Sequence, residues 1–299
     1  MDMSTWDLWA VVVKLLVYVG LAAVIGGPFI ACMTTSAQLL LTRIRRYCLL
    51  GSGVALLGSV LQFLLSVGAL AEMGLAGMWD PLMLEIMWIS GAGDSFALRA
   101  LGFSLTLIVC LLARTSIFST SGSPLVKWFL MAVYLLAVLL LLRSFSVVGH
   151  TSELPTSSQI MLQLHVLIAA WWMGALWPLW VACHELDKMT LHRLMHRFGR
   201  HARVVTLLIL CGAILVYGFI DSVQLLVQSG YGQVLMLKLL MVVGILLLAC
   251  WHKFSLVPAL NTRDGAHGVL ARSIYSEIWL GFVILAATAG LTSLVGPAH

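Results

Sequence analysis

The chain has 299 residues, of which 61% are hydrophobic and 10% charged, with a net charge of +5; its mean hydropathy is +1.04. Soluble domains are about a quarter charged, so this composition cannot cover a water-facing surface and excludes a soluble globular domain. The positive balance does not point to nucleic acid, because the Lys and Arg residues fall in short loops between apolar runs.

Eight apolar runs follow in chain order, at roughly 8–31, 48–71, 96–117, 125–147, 158–182, 202–228, 233–255 and 272–295, each long enough to cross a bilayer as a helix. Their continuous apolar character excludes the alternation of a membrane β-barrel, and lipid cannot satisfy an open backbone. The expected fold is therefore all-α: a single polytopic membrane domain over 1–299, with about eight transmembrane helices. The first run lacks a basic leader segment and reads as a helix of the mature protein, not a signal peptide. Of the 17 Lys and Arg residues, 13 fall on the side opposite the N-terminus, and only Lys14, Arg99, Arg143 and Lys238 fall on the other. The positive-inside rule then places both termini of this multi-pass protein on the periplasmic or exterior side.

Two loops have character. The acidic, aromatic stretch 72–95, with Met78, Trp79 and Trp88, predicts a short interfacial helix. The basic stretch 188–201, with His192, His196 and His201, predicts an amphipathic helix on an anionic leaflet. Cys32, Cys48, Cys110, Cys183, Cys211 and Cys250 show no paired spacing, so they are read as small hydrophobes rather than a disulfide framework. No internal repeat is evident.

Chemistry concentrates at the predicted outer ends of the fourth and fifth spans. Gly149 and His150 close one; Met161 and His165 open the next, at i and i+4 on a single helical face. Imidazole with thioether suits copper(I), and imidazole alone also suits copper(II); the alternative is a hydrogen-bonded His165 and a solvated His150. Secondary candidates for a pathway or second site are Cys32 with Met33 after the Gly26-Gly27-Pro28 break, Lys238, Glu277 beside Arg272, and His201 with His252 near the inner side. An ionisable group in a span is a functional hypothesis by default, against snorkelling for Lys238 and a helix-end ion pair for Glu277. Trp172 and Gly174 read as packing positions.

The run from Gly149 and His150 through His165, Trp172, Gly174 and Pro178 resembles the CopD/PcoD family of bacterial copper-resistance membrane proteins. Phe198, Gly212, Leu237-Lys238-Leu239, Pro258, Arg272-Ser273-Ile274 and Glu277 continue the resemblance. It covers about 145–297 as a CopD-like core, with 1–144 supplying four additional transmembrane helices. Some relatives carry histidine where this chain has Met161, and relatives often carry asparagine where it has His252. The resemblance implies copper handling in the inner membrane, with His150, Met161 and His165 as ligands and a CopC-type periplasmic copper-binding protein as partner. The expected function is copper translocation in copper resistance or homeostasis, not an enzymatic reaction; no ATP-binding motif accompanies it. Two readings stand beside it: a haem b membrane redox protein using His150 with His165 or His201 with His252, and a copper-binding partner or sensor that does not transport.

Overall fold

The structure, a computed structural model, describes residues 5–34, 37–113, 123–205, 207, 209–212, 214, 230–263 and 265–294. Helices α1 (Thr5–Met33) and α2 (Gln38–Ala71) form a long hairpin. A 3-10 turn (Gly74–Trp79) and the short α3 (Pro81–Trp88) lead into α4 (Gly91–Leu112). Then come α5 (Pro124–Arg143), α6 (Thr156–Glu185) and α7 (Lys188–His201). The last two are α8 (Gly230–Trp251) and α9 (Ala266–Leu294). Among the described residues there are no strands, and seven helices are long and apolar enough to cross a membrane. The sixth expected span, 202–228, lies for the most part outside the described residues.

Helices α1, α2, α6 and α9 run longer than the apolar runs that announce them. Backbone hydrogen bonding continues beyond the hydrocarbon core, which only about 20 helical residues need to span. Two differences move functional residues. The helix of the seventh span does not stop at His252: it passes through a π turn, His252–Leu256, and ends at Ala259. The eighth span starts at Ala266, so Glu277 stands about 16 Å into its helix by helical rise, not one turn from its end.

One face of the bundle carries the starts of α1, α4 and α6 and the ends of α2, α5 and α9, with Asp7, Glu72, Asp80, Glu85, Asp94 and Glu153 on or near it. The opposite face carries Arg43, Arg45, Arg46, α7 with its arginines, and Arg263. We call these the acidic and basic faces. The expected interfacial helix is α3, capped by Asp80, whose carboxylate accepts from the Met83 amide at 2.9 Å. The expected amphipathic helix is α7, but Leu191, Leu194 and Met195 are buried in the bundle instead of presented to lipid. Phe198 packs on Trp171, with ring centroids 5.4 Å apart.

Helix α1 is the hub, touching α2, α6 and α9. It crosses α6 where Gly26 meets Gly174. A Cβ on Gly174 would stand 1.7 Å from the Ala22 carbonyl oxygen, and one on Gly26 would stand 2.2 Å from the Gly174 carbonyl carbon. Only backbone fits there, which is how small residues bring membrane helices close. Two residues on, Pro28 has no N–H to offer the carbonyl four residues earlier, that of Val24. The Tyr134 hydroxyl of α5 donates to that carbonyl at 2.9 Å, so the proline break becomes the point where α5 is fastened to α1. Outward, large apolar side chains such as Leu50, Leu125, Trp128, Leu139 and Leu247 are exposed, as a lipid-facing surface requires.

Candidate metal path and intramembrane polar cluster

At the acidic face, Gly149 adopts a left-handed φ of 61°, which costs glycine nothing and lets the chain turn sharply. His150 sits in the 3-10 turn Gly149–Ser152 that follows. Gln159, in the first turn of α6, holds this turn: its side-chain amide donates to the carbonyls of Ser152 (3.2 Å) and Leu154 (3.0 Å), and its oxygen accepts from Arg143 at 2.8 Å. Gln163 donates to the Ser146 hydroxyl at 2.8 Å. The turn carrying His150 is thereby tied over the head of the helix that carries Met161 and His165.

Met161 and His165 are half-buried on that helix, about 6 Å apart along its axis. The His165 ring lies beside Gly212, where a Cβ would come within 3.1 Å of Cε1. Trp172 and Gly174 lie deeper on α6 and are buried, Gly174 at the crossing with α1.

A second polar site lies in the interior of the C-terminal helices. The His252 ring uses both nitrogens: Nε2 is 2.6 Å from the Ser273 hydroxyl and Nδ1 is 3.6 Å from Oε1 of Glu277. Ser273 and Glu277 are buried. They stand at i and i+4 of α9, on the face that meets α8. The π turn begins at His252. Such single turns interrupt helices most often where a side chain has a task. A carboxyl and an imidazole in hydrocarbon are costly unless they hold each other, a proton or an ion. This arrangement corrects two pairings suggested by the sequence. Glu277 meets His252 rather than Arg272, whose Nε donates to the Gly268 carbonyl at 3.3 Å. His201 and His252 have different partners: His201 packs edge-on against Phe29 at 5.4 Å, and its Nδ1 meets the Arg197 carbonyl at 2.8 Å.

Toward the basic face, Cys32 is exposed and Met33 half-buried at the end of α1. Lys238 is half-buried on α8. Among the described residues, no group of three or more His, Cys, Asp and Glu is placed to hold a metal ion.

Ser273 was absent from the sequence candidates although its spacing from Glu277 marks one helical face. The partner of that face, His252, emerges only from the packing of α8 on α9.

Residues 192–291 match the family described as Copper resistance protein D (CopD). The match includes His201, Lys238, His252, Ser273 and Glu277; His150, Met161 and His165 precede it. Over 302 aligned residues the chain is 26% identical to the Copper transport protein CutJ of Bacillus subtilis (strain 168). That alignment covers 95% of this chain and 52% of CutJ, so the chain spans about half the length of the curated relative it matches. No solved structure matches the chain.

Proposed function

We propose, from the match of residues 192–291 to the Copper resistance protein D family, that this multi-pass membrane protein moves copper across the bacterial cytoplasmic membrane. The observation that carries this reading is the buried His252–Ser273–Glu277 cluster inside that segment. Imidazole and carboxylate are copper donors as well as proton acceptors. Between two largely apolar helices they supply a polar stop for a cation between the two faces.

In this reading the acidic face is periplasmic and the basic face cytoplasmic, following the Lys and Arg placement. Copper enters as copper(I) at the head of α6, on Met161 and His165 with His150 from the tethered turn, because thioether and imidazole together favour the softer ion. The acidic α3 region gives a periplasmic copper-binding protein of the CopC type a surface to dock on. The ion then passes to the His252–Glu277 pair, where it replaces the carboxyl proton and takes a lone pair of the imidazole. No covalent step is asked of any residue.

The test is copper(I) uptake into proteoliposomes by the purified chain, its Met161→Ala, His165→Ala and Glu277→Gln variants, and protein-free vesicles. Uptake above the vesicle background, lost in Glu277→Gln and reduced in the two α6 variants, is the expected result. Copper binding without uptake would make the chain a non-transporting copper partner. An absorption spectrum with a strong Soret band that shifts on reduction would replace transport by haem redox chemistry.

A further inference from the structure

Away from both sites, α2 and α4 bring two cysteines together. The helices run antiparallel, and the Ser52 hydroxyl lies 3.1 Å from the Thr106 hydroxyl. One turn further toward the basic face on each helix is Cys48, at Ser52 minus four, and Cys110, at Thr106 plus four. The register sets these thiols opposite one another. Both are buried: Cys48 is 2% exposed and Cys110 5%.

The surroundings shape a small compartment. The Cys48 thiol reaches the Ala23 carbonyl of α1 at 3.5 Å. A Cβ on Gly27 would stand 2.6 Å from Cys48 Sγ, so glycine leaves the sulfur its room. Arg45, one turn before Cys48, lays its guanidinium on the last turn of α4: Nε donates to the Cys110 carbonyl at 2.7 Å and Nη2 to the Leu111 carbonyl at 3.1 Å. A fixed cation thus stands beside two soft donors.

We propose that Cys48 and Cys110 bind one copper(I) ion as a two-coordinate dithiolate. Thiolates select copper(I) over harder cations. The step is an exchange without redox change: each thiol releases its proton, two Cu–S bonds form, and the bound unit carries one negative charge. Arg45 neutralises that charge in a medium where a lone anion is expensive. Cys32 lies five residues beyond Gly27 on α1, about 7.5 Å nearer the basic face, and it is exposed. Copper leaving the pair meets an accessible thiol next. The proposal rests on copper being the ion this chain handles, and it assigns the first four spans a ligand role that lies outside the CopD-matched residues.

The experiment loads the full detergent-purified chain with copper(I) alone, anaerobically, against a chromophoric copper(I) chelator. Cys48→Ser, Cys110→Ser and the double variant are compared with a chain in which Cys32, Cys183, Cys211 and Cys250 are all serine. The expected result is one equivalent of copper(I) fewer in every variant that lacks Cys48 or Cys110, and retention of that equivalent in the fourfold variant. A copper K-edge spectrum of the chain with all its cysteines, loaded with one equivalent, then shows two sulfur neighbours, and this readout does not depend on whether the serine variants fold. Unchanged stoichiometry in the double variant overturns the proposal. So does a native pair found two mass units light, as a disulfide, that takes up no copper(I) after reduction. Loss of copper in Met161→Ala and His165→Ala alone would defeat the dithiolate site yet leave the copper reading standing. No copper bound by any form would defeat both.

Discussion

The helices around α1 and the α8–α9 pair solve the same problem, polar groups in hydrocarbon, in opposite ways. Around α1 the polar side chains end on backbone carbonyls. Tyr134 donates to Val24, Arg45 to Cys110 and Leu111, and Lys14 to Thr292 at 2.8 Å. These bonds fill acceptors left open by a proline or a helix end, and they fix helix against helix. In the α8–α9 pair three side chains, His252, Ser273 and Glu277, meet one another. The packing differs in parallel: in their most apolar stretches α6 is 61% buried and α8 is 11% buried. The first region is built as a rigid frame. The second is a polar site on a loosely held helix, which is where an ion could enter and leave without dismantling the bundle.

The sharpest way to break this contrast is at the crossing of α1 and α6. A Gly174→Val side chain has no room beside Ala22. Overpacking usually costs about 1–3 kcal/mol and more where backbone cannot move, so this variant should fail to yield folded protein. Gly53→Ala meets nothing within 4 Å and should keep its thermal midpoint in detergent. If Gly174→Val folded with an unchanged midpoint, the frame would be no frame.

Next in size is the polar site. Hydrogen bonds to charged groups contribute about 1.5–3 kcal/mol, so Glu277→Gln or His252→Ala should slow copper uptake about tenfold or more at one copper concentration. The thermal midpoint should shift little, because few packing contacts are lost on α8. Large destabilisation with transport preserved would reverse the assignment and make the cluster part of the frame. Smaller is the expected effect at the head of α6. Met161→Ala and His165→Ala should weaken copper(I) capture while saturating uptake approaches that of the unaltered chain, since the interior site is intact. A fall in the saturating rate would instead place these residues within the path.

How much of this was legible in the sequence follows from where the signal lies. Apolar runs and loop charge are local, and they locate each described span, although α2 begins at Gln38, ten residues before its apolar run. Met161 and His165 share a face by spacing alone. Three things were not legible because each depends on how distant segments pack. His252 and Glu277 belong to helices whose relative rotation no run of residues records. The apolar stripe of α7 looks the same whether lipid or Trp171 of α6 covers it. Cys48 and Cys110 are separated by 62 positions, and only the antiparallel register revealed by Ser52 and Thr106 sets them opposite one another. Helix ends fell between these extremes. The seventh run thins out at His252 because polar side chains appear, while the backbone carries its helix on to Ala259 through the π turn.

The smallest expected effect concerns α7, which joins the two regions at the basic face. Its N-cap is Asp187, whose carboxylate accepts from the Met189 and Thr190 amides, each at 3.0 Å. The Thr190 side chain first, and then the amides of Thr190 and Met189, hold this carboxyl below its ordinary value of 3.8. A carboxyl lowered in the folded state stabilises the fold above the unfolded value, and that contribution is lost as pH falls through the folded one. The cap is thus complete at neutral pH and fails only in acid, below about pH 4. The rest of α7 is anchored by buried Leu191, Leu194 and Met195, so losing the cap should fray one turn and no more. Hydrogen exchange at Met189 and Thr190 should accelerate in Asp187→Ala at pH 7 and approach the same rate ratio in the unaltered chain at low pH. Exchange farther along α7, and copper uptake, should hold. If instead uptake fell with the cap, α7 would be more than a brace, and the frame would extend its control to the polar site through this one loop.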